Sequence, residues 1–519
     1  MIKEDVDYLL VNAANRFLLE YTPIEENSCY NLTGFTGDTG DALIMPDGKI
    51  KLFVDGRYHI QADLEVDKTK VEVVKLKLSQ KADDEICKSI KSNSTLGITW
   101  AKVSELRYEY IKNKLKNKNI TVIALDTDIY EKSYTSSPGT AVLIPIELSG
   151  KSFFDKIKNI KKPALITNSE ELSYLCNIRD FSQNYAVKVN GKLLLCEDKN
   201  ILFTDTKVQS VDFEVLPLKD FDKYIKGTLC SIAVDKTTIN AKDYSMIKFP
   251  VPQISPVKKM KAIKNNAEIK HLKYCFEMTD KALYDTRNFI YANDNLSEYD
   301  INIELEKNFK KYGAKLLSFR SIVAKNQNAA QAHYMKSSEA EIIKEGDLVL
   351  IDCGGYYEGG LATDITRVFV KGNPCELQKK VYTTVLKMFL NAYKYRVMEG
   401  ITTGYEIDKY TRKIFAQNPV ADFAFTHGLG HGIGICVHEA PPNLSMNETA
   451  NTPLENNMCF TIEPGIYFKD KFGIRLENSC YLEAGEIKSF SNMCYEKKLI
   501  DCNMLNDNEI ETLKEFRVE

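Results

Sequence analysis

The sequence predicts two tandem α/β domains followed by a larger α+β domain, and three observations carry that prediction. A strand-turn-strand pattern in the first 150 residues returns in weaker form before residue 255. A boundary rich in proline, with Pro250, Pro252 and Pro256, precedes a strongly helical run. Beyond Asp347 the chain turns into apolar strands that carry isolated Asp, Glu and His.

The first domain spans 1–150 and ends near Ser136-Ser137-Pro138-Gly139. Within it, Ala42 to Tyr58 reads as two strands joined at Pro46-Asp47-Gly48, because apolar and β-branched runs flank turn chemistry. The second domain, 151–255, repeats the theme. Tyr174-Leu175-Cys176-Asn177-Ile178 and the strands VKVNGKLLL and NILFTDT resemble Tyr30-Asn31-Leu32-Thr33-Gly34, DGKIKLF and the strand ending at Val54-Asp55. The third domain, 256–519, opens with a helix. Ile269, Leu272, Phe276 and Leu283 share one face of it, and Glu268, Lys270, Lys273 and Glu277 mostly turn away.

Bulk properties exclude more than they assign. Hydrophobic residues at 44% and charged residues at 27% describe a soluble globular chain of 519 residues. The 69 basic and 72 acidic residues are spread throughout, leaving a formal charge of −3 and no basic face for nucleic acid or anionic lipid. Charges interrupt each apolar run of MIKEDVDYLLVNAANRFLLEY, unlike a signal peptide. No stretch approaches the roughly 18 to 20 apolar residues of a membrane span. The 13 cysteines are scattered without a C-x-x-C spacing, which points to reduced thiols and a cytoplasmic location.

Four segments place ionisable side chains in apolar, glycine-bracketed text. LVLIDCGGYYEGGLATDITRVFV carries Asp352 and Asp364 on either side of Gly359-Gly360, where a hairpin would bring both carboxylates to one end of adjacent strands. HGLGHGIGICVHE holds His427, His431 and His438, half of the 6 histidines in the chain. FTIEPGIYF and FGIRLEN place Glu463 and Glu477 on two apolar strands, again within reach of a hairpin. Carboxylates do not persist in core strands unless something compensates their charge.

Two Asp, two Glu and one His form an oxygen-rich set suited to hard or borderline divalent ions such as Mn2+, with Co2+ or Zn2+ also compatible. Four negative charges balance two divalent cations, and such a pair can activate a shared water and polarise a carbonyl. Other chemistries fit poorly. His438-Glu439 is followed by Ala-Pro-Pro and so lacks the helical zinc-protease spacing, the glycines match no phosphate cradle, and no G-x-S-x-G elbow occurs.

At these residues the chain resembles the pita-bread metallopeptidases, the group of aminopeptidase P, prolidase and methionine aminopeptidase, with ligand order Asp, Asp, His, Glu, Glu. NLTGFTG, VDGRYHIQA, SFRSIVAKNQNAAQAHY and YEKKLIDCNMLNDNEIETL extend the likeness to the long, three-domain aminopeptidase P form. The resemblance implies two creatinase-like N-terminal domains before a pita-bread catalytic domain. It implies that Asp352 ligates one ion, His431 and Glu463 the other, and that Asp364 and Glu477 bridge both. Glu463 would also take a proton from the attacking water. His333, His427 and His438 would line the substrate pocket, Arg475 would support the ligands, and Arg57 would contact peptide. The expected activity is removal of an N-terminal residue from peptides with proline in second position, by a homodimer.

Prolidase activity on Xaa-Pro dipeptides is the nearest alternative. Creatinase-like enzymes and non-catalytic interaction modules share the fold but have lost the metal set. The interval from Asp352 to Asp364 is one residue longer than the resemblance implies, and a bulge near Gly359-Gly360-Leu361 is expected to absorb it.

Overall fold

The computed structural model describes residues 6–78, 80–132, 138–210 and 212–519, so Ser136 and Ser137 of the expected first boundary lie outside the described residues. The chain divides into two compact units. One comprises Met1–Leu143, Ser152–Ser182 and Lys188–Val257, the other Ile144–Lys151, Gln183–Val187 and Lys258–Glu519.

The N-terminal unit holds two six-stranded sheets. The first contains β1 (Tyr8–Asn12), β2 (Asp41–Ile44), β3 (Ile50–Val54), β4 (Val71–Lys75), β5 (Thr95–Thr99) and β6 (Thr121–Leu125), in the order β4-β3-β2-β1-β5-β6. The expected turn between β2 and β3 is present, with Gly48 at φ 82°, a conformation open to glycine at little cost. The second sheet contains β7 (Ala164–Ile166), β8 (Gly191–Leu195), β9 (Asn200–Thr204), β10 (Glu214–Leu216), β11 (Ile232–Val234) and β12 (Pro250–Pro252), in the order β10-β9-β8-β7-β11-β12. Strand for strand this repeats the first sheet, including which neighbours are parallel. The weak similarity of two sequence segments therefore marks a duplicated topology.

The C-terminal unit is α+β. Its first long helix, α1 (Asn266–Ala292), buries Ile269, Leu272, Phe276 and Leu283 and exposes Lys270, Lys273 and Glu277. Glu268 departs from the expected outward set. It is buried because it closes a capping box with Asn265, satisfying amides that the helix start leaves without partners. Next come α2 (Glu298–Lys311), β13 (Ile322–Lys325), β14 (Leu348–Cys353), β15 (Ile365–Val370), α3 (Glu376–Tyr393) and α4 (Gly404–Gln417). The last strands are β16 (Gly430–His431), β17 (Asn443–Leu444), β18 (Cys459–Ile462), β19 (Gly465–Phe468), β20 (Phe472–Arg475), β21 (Asn478–Glu483) and β22 (Glu486–Ser489).

α3 packs Val381, Val385, Leu386, Met388 and Phe389 against Leu350, Val368, Phe460, Ile462 and Ile474 of the strands. Each such side chain stabilises the fold by roughly 1.5–3 kcal/mol. In β14 and β15 Leu350 and Val368 alternate onto the same strand face as Asp352 and Asp364, so the apolar contact with α3 anchors the strands that carry the acidic residues. Among the described residues no helix is long and apolar enough to cross a membrane.

Candidate metal centre

Two hairpins build the site. Apolar, β-branched runs form β14 and β15, which pair antiparallel from Leu348↔Val370 to Cys353↔Ile365. The bridge Tyr356↔Ala362 continues the same register, so Asp364 lies opposite Gly354 and on the same face as Asp352. The expected bulge is absent. The additional residue sits in the loop tip between Tyr356 and Ala362, where Gly360 takes φ 60° and loop length leaves strand register untouched. A side chain at Gly354 would begin 1.8 Å from the Thr363 carbonyl oxygen, so the strand facing Asp364 must be bare there.

The loop is also pinned from α1. Thr279 Oγ1 lies 2.9 Å from the Tyr357 hydroxyl and 2.8 Å from Thr363 Oγ1, and the Gly359 N–H donates to His271 Nε2 at 3.0 Å.

In the second hairpin, Ile462↔Asn478 and Gly465↔Arg475 share one register, so Glu463 faces Glu477. β16 runs beside β18, and the His431 N–H donates to Thr461 Oγ1 at 3.1 Å. His431 Nδ1 lies 3.0 Å from the Gly432 carbonyl oxygen. A carbonyl only accepts, so Nδ1 carries the proton and Nε2 presents its lone pair. Nε2 is 3.5 Å from Asp364 Oδ2 and 3.4 Å from Glu463 Oε1. Asp364, His431 and Glu477 each offer a ligand atom within 4.8 Å of the others, an arrangement able to hold a metal ion.

The electrostatics favour cations. Asp352 Oδ1 and Glu477 Oε1 are buried without a hydrogen-bond partner, a costly condition for carboxylate oxygens that a divalent cation relieves. Burial, then Glu477, Asp352 and Glu463, push the Asp364 carboxyl well above its ordinary range, against the opposing pull of Arg475. Burial, then Glu463 and Asp352, do the same to Glu477, although Thr366 Oγ1 donates to its Oε2 at 2.8 Å. The balance of four charges against four read from the sequence omitted Arg475. Its guanidinium, 3% exposed, donates to Asp352 Oδ2 at 2.5 Å, so two divalent ions would leave the cluster one positive charge in excess and receptive to an anionic partner.

Arg475 also donates to Thr366 Oγ1 at 3.1 Å and to the Tyr467 hydroxyl at 2.8 Å. Tyr467 lies 2.8 Å from His427 Nε2, and His427 Nδ1 lies 2.7 Å from the Gly428 carbonyl oxygen. Because Arg475 can only donate, the tyrosine proton is directed to Nε2, and His427 is a neutral ring protonated on Nδ1. The ring of His438 stands edge-on to His431 at 4.4 Å between centroids. His333 is half-buried on the segment after β13, whose 3-10 turn Asn326–Ala330 abuts β20. A side chain at Gly473 would begin 2.1 Å from the Ala329 carbonyl oxygen. Arg57 lies in the N-terminal unit with its guanidinium bidentate on Asp55, at 3.0 and 2.8 Å.

Several participants escape sequence reasoning. Tyr467 reads as one more strand aromatic, although it links Arg475 to His427. Arg367, fully buried in β15, donates to the Glu477 carbonyl oxygen at 2.7 Å and so holds the backbone of that residue. Glu439 accepts from Lys264 Nζ at 2.7 Å and from the Ile435 N–H at 2.8 Å, tying down the loop between His431 and His438.

This fold and this cluster define a metallohydrolase of pita-bread architecture, and comparison with known proteins agrees. Residues 270–484 match the model of metallopeptidase family M24, and residues 1–131 match the creatinase/prolidase N-terminal domain. A protein from Laccaria bicolor described as a probable Xaa-Pro aminopeptidase P is 27% identical, over 100% of this chain and 88% of its own. A prolidase structure from Thermococcus sibiricus is 30% identical with a TM-score of 0.52, covering 63% of this chain and 92% of that one. An X-prolyl aminopeptidase structure from Caenorhabditis elegans, described as a cytosolic enzyme with a di-nuclear active site, has a TM-score of 0.90 at 21% identity, covering 99% and 91%. The chain belongs to metallopeptidase family M24.

Proposed function

We propose that this protein is an Xaa-Pro aminopeptidase that releases the N-terminal residue of peptides with proline in second position. The observation that carries the reading is the gathering of Asp364, His431 and Glu477 within ligand distance, with buried oxygens of Asp352 and Glu477 lacking partners. In this reading Asp352, Asp364, His431, Glu463 and Glu477 hold two divalent ions, most suitably Mn2+. Bound ions supply Lewis acidity, lowering the pKa of water and polarising the scissile carbonyl.

The chain's own groups do the rest. Glu463, the ligand at the edge of the cluster, takes the proton released as water attacks and returns it to the leaving nitrogen. Arg475 holds Asp352 in place. A neutral His427 with its Nδ1 and Nε2 directed to Gly428 and Tyr467 turns an apolar ring face to its surroundings, which suits contact with a proline ring. His438 and His333 supply hydrogen bonds to a substrate whose scissile bond has no N–H, and Arg57 is a further candidate for contact with the peptide. All thirteen cysteines are free, which accords with action in the cytoplasm, and we propose a homodimer as the working form.

Incubation of the Mn2+-loaded protein with matched Xaa-Pro-Yaa and Xaa-Ala-Yaa peptides tests the reading. Selective cleavage of the proline peptide is expected, and equal turnover overturns it. An Xaa-Pro dipeptide in the same series separates prolidase, which would cut the dipeptide and spare the tripeptide.

A further inference from the structure

Glu298 opens α2, remote in sequence from the acidic cluster, and is completely buried. Its carboxylate meets donors from both ends of one segment. Oε1 accepts from the Lys325 N–H at 2.6 Å and from Asn328 Nδ2 at 2.9 Å. Oε2 accepts from the Ser338 N–H at 3.0 Å and lies 2.8 Å from the Tyr334 hydroxyl. That hydroxyl is also 2.5 Å from the Lys336 carbonyl oxygen, but an anionic oxygen is the stronger acceptor for its single proton. Four donors around one carboxylate fill its acceptor capacity, and the positive end of α2 adds to its stabilisation.

The bound segment, 325–338, contains His333 directly before Tyr334. Its entry is constrained as well. Asn326 takes φ 37°, outside the usual range of a non-glycine residue, and is held there by bonds from its Nδ2 to Asp347 Oδ1 and from the Leu348 N–H to its Oδ1. Of these groups Glu298 and Tyr334 are buried and Lys325, Asn326, Asn328 and Ser338 half-buried, and together they tie the segment down at its entry and at its exit.

We propose that Glu298 is a positioning residue for substrate binding, fixing both ends of segment 325–338 so that His333 is presented to the peptide. The proposal rests on the peptidase reading above and on His333 contacting substrate. It assigns to Glu298 an effect on substrate affinity that is separate from metal binding, since its hydrogen bonds reach no ligand of the cluster.

The test compares Glu298→Gln, His333→Ala and the double variant with wild type, measuring KM and kcat on an Xaa-Pro-Yaa peptide, bound Mn2+ per chain and the visible spectrum of the Co2+ form. The amide keeps the shape but confronts two donors with an NH2 group. KM is expected to rise about tenfold in Glu298→Gln, with kcat, Mn2+ content and the Co2+ spectrum nearly unchanged. In the His333→Ala background the same substitution should add little, because both act through one group. An unchanged KM, a full effect without His333, or parallel loss of kcat and metal overturns the proposal. Should Glu298→Gln fail to fold, Tyr334→Phe removes a single hydroxyl from the network, and a KM equal to wild type there overturns it equally. A wild type that cuts no proline peptide fails the peptidase reading and the proposal together, whereas a cutting wild type matched by Glu298→Gln fails the proposal alone.

Discussion

Glu463 and Glu477 stand directly opposite each other on one antiparallel hairpin, both inside the catalytic unit, with Glu477 only 1% exposed. Like charges in that relation are destabilising on any sheet and more so in a buried one. The hairpin is therefore stable as charged strands only with cations between them. Mn2+ added to chelator-treated protein should raise the Tm, by the equivalent of about 2.7 kcal/mol at a hundredfold excess over Kd. In Glu477→Gln the repulsion is relieved and a ligand is lost, so the metal-free form should melt higher than metal-free wild type and respond little to Mn2+. Differential scanning calorimetry with and without metal checks both, and a wild-type Tm indifferent to Mn2+ would contradict the relationship.

Arg475 places its fork between Asp352 and Tyr467 with a third bond to Thr366. Lysine could keep the charge but not three fixed directions. Arg475→Lys should weaken Mn2+ binding by about 10- to 100-fold, as loss of a partner that orients a metal ligand does. Metal content after dialysis against graded free Mn2+ measures it, and retention at wild-type levels would show that charge alone suffices.

Much of this was legible before the structure, for a definable reason. Acidic side chains in apolar strands violate burial rules locally, so Asp352, Asp364, Glu463 and Glu477 stand out one by one. The repeated sheet likewise survives as a pattern of turns and strands. Tyr467, Thr279 and Glu298 violate nothing locally: a strand aromatic, a helix threonine and a glutamate in the first turn of a helix are ordinary residues there. Their roles exist only through partners far along the chain, as with Glu439 and Lys264, which are 175 positions apart. The bulge expected near Gly360 failed for a related reason. An interval counted in residues does not say whether the surplus lies in the ladder or beyond its end.

Tyr467→Phe isolates the link between Arg475 and His427. Removing one oxygen takes one hydrogen bond each from Arg475 Nη1 and His427 Nε2, a loss of about 1–3 kcal/mol per group. The bond from Arg475 to Asp352 stays, so bound Mn2+ should be retained. kcat/KM on a proline peptide is expected to fall about tenfold or more as His427 loses its fixed tautomer and orientation. Loss of metal in parallel would mean that the tyrosine serves the ligands rather than the histidine.

Glu439 supplies the pH-dependent test. Burial favours its neutral form, but the ammoniums of Lys261 and Lys264, at 3.6 and 2.7 Å, outweigh that and hold the carboxyl down to about 2 from an ordinary 4.5. A carboxyl depressed by folding contributes stability that is complete above its unfolded pKa and is lost as pH falls through the folded one. The contribution should therefore persist at neutral pH and fade between about 4.5 and 2, with a size on the order of 3 kcal/mol. Glu439→Gln removes the titration and the countercharge of two buried ammoniums, a change that costs about 3–5 kcal/mol near neutrality. Urea unfolding of both proteins from pH 7 to pH 3 reads the difference directly. The gap should be widest at neutral pH and should narrow on acidification, while a gap constant across that range would show that Glu439 does not titrate with folding.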